Sequence, residues 1–270
     1  MADVRTIADR ILDARERVAQ IAPITDSDPG FDLVAAYRVA DEIMRRRIAD
    51  GERVVGWKLG FTNRTIWDEY GVHAPMFGPM YHATVHEVPF NENAPGSLHG
   101  LAEPRIEPEI VFRIAAPPEP GMEGAALFDR IDGVALGFEI VNSIYPGWRF
   151  RAADTVAAVA LHGRLYHGPF AVMEGAAERQ EWLPRLGEFE IGLSRGGVVM
   201  DRGKAANVLD GPLHALAHFV RGLDETYGAR LKAGDVVTTG TVTRAFPVKA
   251  GETWAAQVDG LRLPGLAIAF

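Results

Sequence analysis

The run IEPEIVF, from Ile106 to Phe112, has the apolar content of a half-buried strand yet carries two carboxylates, Glu107 and Glu109. Strand side chains alternate faces, so both glutamates point the same way, about 6.5 to 7 Å apart along the backbone. Like charges at that spacing repel unless a cation lies between them or one takes up a proton. The plain alternative is a solvent-facing strand, or ion pairs with the nearby Arg105 and Arg113. A third carboxylate, Glu139, stands in VALGFEIVN among apolar neighbours, where an unpaired charge is costly. Three carboxylates without a histidine or cysteine partner are the ligand set of a hard divalent cation, best Mg²⁺ or Mn²⁺, whose open positions take water or substrate oxygens. Lys58 is the first acid–base candidate. Its neighbours Val55, Trp57 and Leu59 in the strand-like VVGWKLG imply burial, and a buried lysine beside a cation has a lowered pKa.

These residues come from separate strand-like runs, so several elements must converge to position them. The first 50 residues read as helical: Ile7, Ile11, Ala14 and Val18 recur at helical spacing, and Leu33 to Ile48 repeats the pattern after a capping Asp32. Pro23, Pro29 and Gly30 break the chain between them, and MRRR (Met44–Arg47) places cations at the second helix's C-terminal end. After Gly51 the texture changes to short β-type runs: VVGWKLGF, ATVHEVPF, RIEPEIVF, VALGFEIV, EFEIGLS, DVVTTG and WAAQVDGL. One further helix is predicted over Pro212 to Tyr227. The division is a helical N-terminal segment, 1–50, and a catalytic domain, 51–270.

Composition narrows the function classes. A chain of 270 residues, 47% hydrophobic, is long enough for one large core. Its formal charge of -8 argues against a nucleic-acid groove or an anionic membrane as partner. The absence of cysteine excludes disulfides, thiolate ligands and cysteine nucleophiles, and fits a cytoplasmic setting. The charged N-terminus is unlike a secretory signal, and no apolar run approaches the roughly 20 residues of a spanning helix. The five tryptophans show no stacking array with basic residues and are assigned to core and interfaces.

In order along the chain, GWKLGFT (Gly56–Thr62), GVHAPMFG (Gly71–Gly78), RIEPEIVF, FEIVNS, ADT (Ala153–Thr155) and GDVVTTGTVT followed by FPVKAGE resemble the hydratase/decarboxylase family of the fumarylacetoacetate hydrolase superfamily. The resemblance runs from about Ile21 to the C-terminus. It implies an α+β fold: a β-rich, mixed β-roll core with a helical N-terminal segment. It implies that Glu107, Glu109 and Glu139 are the metal ligands, that a small 2-oxo acid is the substrate, and that Lys58 moves a proton. It also implies a homo-oligomer.

Two departures qualify the resemblance. Relatives carry an acidic residue after the PMFG-type segment, where this chain has Ala83 in PMYHATV; either the correspondence slips, or the neighbouring His82 supplies the proton transfer, or the chemistry differs. After ADT, a polar stretch is replaced by VAAVALHG, with His162 about where a serine would stand. Asn142, Thr241 and Phe77 are candidate substrate contacts, Thr241 through its hydroxyl and a backbone N–H after a glycine. The implied activity is metal-dependent hydration of a 2-hydroxydienoate in the degradation of aromatic compounds. Decarboxylation of a 4-oxalocrotonate-like diacid comes second, then acylpyruvate-type C–C hydrolysis or 2-oxo acid tautomerisation. A non-catalytic metal-binding homologue, a subunit partner for another enzyme of the pathway, is the reading from a different class.

Overall fold

The structure is a computed structural model describing residues 3–64, 67–70, 72, 74–89 and 93–270. Gly71, His73 and Phe90, which belong to the segments GVHAPMFG and ATVHEVPF, lie outside the described residues. The chain opens with α1 (Val4–Glu16), α2 (Ile24–Ser27) and α3 (Leu33–Ala49), followed by β1 (Val54–Gly60), α4 (Trp67–Tyr70), β2 (Met76–Tyr81), β3 (Val85–Glu87) and β4 (Asn93–Pro95). The central part runs β5 (Arg105–Ile114), α5 (Gly124–Phe128), β6 (Ile131–Val141), α6 (Ala152–Ala157), β7 (His162–His167) and β8 (Ala171–Val172). The last part runs α7 (Gly175–Arg185), β9 (Glu190–Arg195), β10 (Val198–Lys204), α8 (Pro212–Tyr227), β11 (Val236–Thr241), β12 (Phe246–Pro247), β13 (Thr253–Asp259) and β14 (Leu266–Ala269).

Both long N-terminal helices follow from their apolar stripes. α1 buries Ile7, Ala8, Ile11 and Ala14; α3 buries Ala36, Val39, Ala40 and Ile43. The Asp32 carboxylate accepts from Ala35 N at 2.8 Å, the cap expected there. Arg46 and Arg47 lie in the last turn of α3, where cations offset the helix dipole. α8 coincides with the predicted Pro212–Tyr227.

The larger sheet has strand order β2-β1-β11-β5-β6-β7-β3, with β12 joined to β5 and β8 to β6. Its centre brings β1, β5, β6 and β11 side by side, and those four strands carry Lys58, the three glutamates and Thr241. Glu107 lies directly opposite Glu139 in the β5–β6 ladder, and Lys58 is in register with Thr238 of β11. Pro108 is tolerated mid-strand because β5 changes neighbour there, from β11 at Glu109 to β12 at Ile106, so no ladder N–H is required of it. The second sheet, β10-β9-β13-β14-β4, packs with α7 and α8 around the main apolar core, which includes Trp182, Phe189, Phe219 and Trp254. A separate apolar cluster joins α1 and α3 to α6 through Ile7, Ile11, Val39, Ile43, Tyr145 and Val156. No helix among the described residues is long and apolar enough to cross a membrane.

Candidate active site

A cleft of about 650 Å³ opens over the centre of the larger sheet. Lys58 and Glu107 form part of its floor, and Thr62, Trp148, Ala160, Leu161 and Thr241 stand around them. Glu109 and Glu139 lie just beneath, both at 0% exposure. One carboxylate oxygen from each of Glu107, Glu109 and Glu139 lies within 4.8 Å of the others. The ion-pair alternative fails for Arg113, which pairs with Asp132 at 2.7 Å.

The hydrogen bonds fix each carboxylate differently. Glu139 receives Lys58 Nζ at 3.3 Å on Oε2 and His162 Nδ1 at 3.1 Å on Oε1. Glu109 accepts from Gly240 N at 2.5 Å on Oε2, while its Oε1 is buried with no partner among the described residues. Glu107 stands 4.0 Å from Lys58 Nζ. Gly240 is required twice over: its φ is +96°, and a Cβ there would lie 1.9 Å from Thr62 Oγ1. That close approach brings the Gly240 N–H onto Glu109.

Burial is the leading influence on all of these groups. It pushes Glu107 up to about 7, against the pull of Lys58, and holds Glu109 well above the usual carboxylate range, with Glu139's charge adding to the effect. Glu139 is also opposed by burial, but Lys58 and His162 together bring it below its ordinary value. Burial likewise drives Lys58 down, yet the facing carboxylates of Glu139, Glu107 and Glu109 outweigh it and the net shift is upward. The sequence expectation for Lys58 assumed a neighbouring cation; facing the carboxylates alone, the lysine is ammonium. Were all three carboxylates ionised, they would outweigh the one lysine they face, and Glu109 Oε1 is buried with no partner among the described residues. This all-oxygen donor set suits a hard divalent cation, which Glu107, Glu109 and Glu139 would hold.

Other candidates fall in different places. His162, 1% exposed, is not part of the cleft lining; both ring nitrogens are engaged, Nδ1 by Glu139 and Nε2 by Thr84 Oγ1 at 2.8 Å. Burial lowers its pKa, so it is a neutral imidazole donating from Nδ1. Asn142 Nδ2 donates to the carbonyls of Leu161 (3.4 Å) and His162 (3.2 Å), backing the cleft wall without entering it. Thr241 does line the cleft, its hydroxyl donating to Thr243 O at 3.1 Å. His82 is exposed on the turn after β2, where its Nδ1 accepts from Arg53 N, and Ala83 is exposed beside it. Phe77 faces away from the cleft, into an aromatic cluster with Tyr37, Trp57 and Phe219. Trp148 corrects the assignment of every tryptophan to core and interfaces: it walls the cleft, with the Arg105 guanidinium 4.2 Å above its ring.

Several functional features gave no sequence signal. Thr84 reaches His162 across 78 positions. Val159, Ala160 and Leu161, within the stretch that replaces the polar run after ADT, form a left-handed turn with φ of 58°, 50° and 60°. Each such non-glycine residue costs about 1–2 kcal/mol, and nothing in VAAVALHG foretells it.

The Fumarylacetoacetate (FAA) hydrolase C-terminal model matches residues 76–263. A 2-keto-4-pentenoate hydratase of Burkholderia vietnamiensis is 31% identical over 261 residues, covering 96% of this chain and 94% of its own. A 4-oxalocrotonate decarboxylase of Pseudomonas sp. is 30% identical over 259 residues, with the same coverage. Among solved structures, 4-oxalocrotonate decarboxylase from Pseudomonas putida G7, complexed with magnesium and adipate, superposes with a TM-score of 0.88 at 29% identity, covering 99% of this chain and 97% of that one. By the reach of that family model and by these full-length likenesses, the chain belongs to the fumarylacetoacetate hydrolase family.

Proposed function

We propose that the protein is a divalent-metal-dependent lyase, using Mg²⁺ or Mn²⁺, that hydrates a small 2-hydroxydienoate. The observation that carries this reading is the convergence of Glu107, Glu109 and Glu139 under the cleft floor with Lys58 Nζ 3.3 Å from Glu139. When bound, the cation would polarise the 2-oxo oxygen of the substrate and accept the negative charge that proton movement leaves there. Lys58 is the only lysine, and no histidine stands with it, among the described residues lining the cleft. It therefore holds the transferable proton at Nζ. A bound cation would offset the carboxylates that hold the lysine's pKa up, leaving burial as the influence that favours release of the proton. His162 acts through Glu139, fixing that carboxylate's orientation, and the Thr241 hydroxyl and the Trp148 ring shape the wall that receives the substrate.

The test is turnover of 2-hydroxypenta-2,4-dienoate, followed by loss of the diene absorbance, with Mg²⁺, Mn²⁺ or a chelator. Metal-dependent hydration is expected; no turnover of this compound or of 4-oxalocrotonate with either metal would refute the reading. Decarboxylation of a diacid is favoured by one observation of its own. Arg105 lies in the cleft two residues from Glu107, stacked on Trp148, and no ion pair ties it among the described residues. It is placed to receive a second carboxylate. If that is the reaction, R105M lowers kcat/KM for a diacid at least about tenfold, a lost charge-assisted bond, while a monoacid is unaffected.

A further inference from the structure

We infer that Arg15, on the N-terminal helix α1, is a positioning residue for the site: it holds the left-handed turn Val159–Leu161 that forms one wall of the cleft and leads into His162. Arg15 donates from Nη1 to Ala158 O at 3.3 Å and from Nη2 to His162 O at 2.6 Å, so a single guanidinium brackets the turn on both sides. Three successive non-glycine residues at positive φ persist only where their surroundings force them. The other restraints are Asn142, which holds the Leu161 and His162 carbonyls from the opposite side, and Gly78, whose missing Cβ leaves room for the Val159 carbonyl.

The charge argues in the same direction. Arg15 is partly buried, and burial together with the Arg47 charge lowers its pKa to about 10. No carboxylate forms an ion pair with it among the described residues. A cation set against the interior without a counter-ion is expensive, and the hydrogen bonds it makes go to the two carbonyls that frame the turn. What the turn carries is functional under the reading above, on which this inference rests: Ala160 and Leu161 line the cleft, and His162 grips Glu139. α1 thus belongs to the machinery of a site 147 positions away in sequence.

The test separates this role from simple helix docking. In R15M the binding of oxalate to the Mg²⁺-loaded protein, measured by calorimetric titration, should weaken about tenfold, as misplacement of a cleft wall does. Hydrogen exchange of the peptide spanning 158–163 should accelerate while that over α8 is unchanged. Val159→Gly, which removes the strain at the first of the three positive-φ residues, should restore part of the R15M loss. Should R15M fold poorly, Arg15→Lys, which keeps the charge but cannot reach both carbonyls, is expected to show the same loss and the same rescue. Oxalate binding and exchange at 158–163 that remain within twofold of wild type, or a loss that V159G does not lessen, would overturn the inference. Wild-type protein that binds neither Mg²⁺ nor oxalate would instead sink the functional reading, and the exchange measurement alone would then judge Arg15.

Discussion

Glu109 concentrates the electrostatic cost of the site: it is fully buried, one oxygen has no partner among the described residues, and two other carboxylates lie beside it. Its pKa and that of Glu107 are raised in the folded protein, so each binds a proton more tightly folded than unfolded. Their contribution to stability is present below the ordinary carboxylate pKa and is lost as pH rises through the folded value, about 7 for Glu107. Glu139 has the opposite sign, its contribution being lost only as pH falls below the ordinary range. Chelator-treated protein should therefore lose melting temperature between about pH 5 and pH 8, and Mg²⁺ should raise it increasingly over that interval, by roughly 5 °C or more at the upper end. Scanning calorimetry with and without Mg²⁺ measures the gap; a gap independent of pH would contradict the assignment of these carboxylates as ligands. The glutamates were legible because period-2 spacing and an isolated charge in an apolar strand are local signals. The placement of His82 and Phe77 was not. Which face a residue presents in β2 or just after it depends on the β1–β2 register and on the aromatic cluster behind it, which no local pattern encodes.

At the scale of elements, periodicity revealed the helices and the central strands, since α1, α3 and α8 each have a continuous apolar stripe and β5 and β6 are dominated by buried β-formers. β2, MFGPMY, is buried at every position and so lacks the alternation that marks a strand. The segment from α6 to β7 hid its nature for a different reason: valine, alanine and leucine have no preference for positive φ, and only tertiary contacts impose it. The glycine at the end of β11 is the converse, a residue whose type states its geometry. G240A places a methyl against Thr62 and forces alanine to φ of +96°, so the loop must shift and withdraw its N–H from Glu109. A melting temperature lower by roughly 5–10 °C is expected, together with weaker Mg²⁺ binding by titration. The double substitution G240A/T62A removes the contact with the Thr62 hydroxyl but leaves its Cβ 2.9 Å away and the φ strained, and should recover only part of the loss.

At the scale of the whole molecule, the division at residue 50 marks a change of texture, and the packing bears on whether it marks a unit of folding. The faces of α1 and α3 that bury Ile7, Ile11, Val39 and Ile43 have no core of their own to close on; they pack on Val141, Ile144, Tyr145, Val156 and Val159. Those partners belong to β6, to the segment that follows it, to α6 and to the turn before β7; β6 carries Glu139 and the turn leads into His162. Further ties cross the division, among them Thr25 Oγ1 to Asp154 Oδ2 at 2.6 Å and Ile21 N to Ile144 O at 2.8 Å. A chain reduced to 51–270 would expose that apolar face and leave Asp154 without the two donors that Thr25 supplies, each a penalty on the order of kilocalories per mole. The truncated chain is therefore expected to be aggregation-prone, to lose the cooperative melting transition, and to fail to bind Mg²⁺. Supplying residues 1–50 as a separate peptide should restore binding in part, because the apolar face is then covered again. A truncated protein that melts cooperatively and binds Mg²⁺ with unchanged affinity would mean that the site is built by residues 51–270 alone.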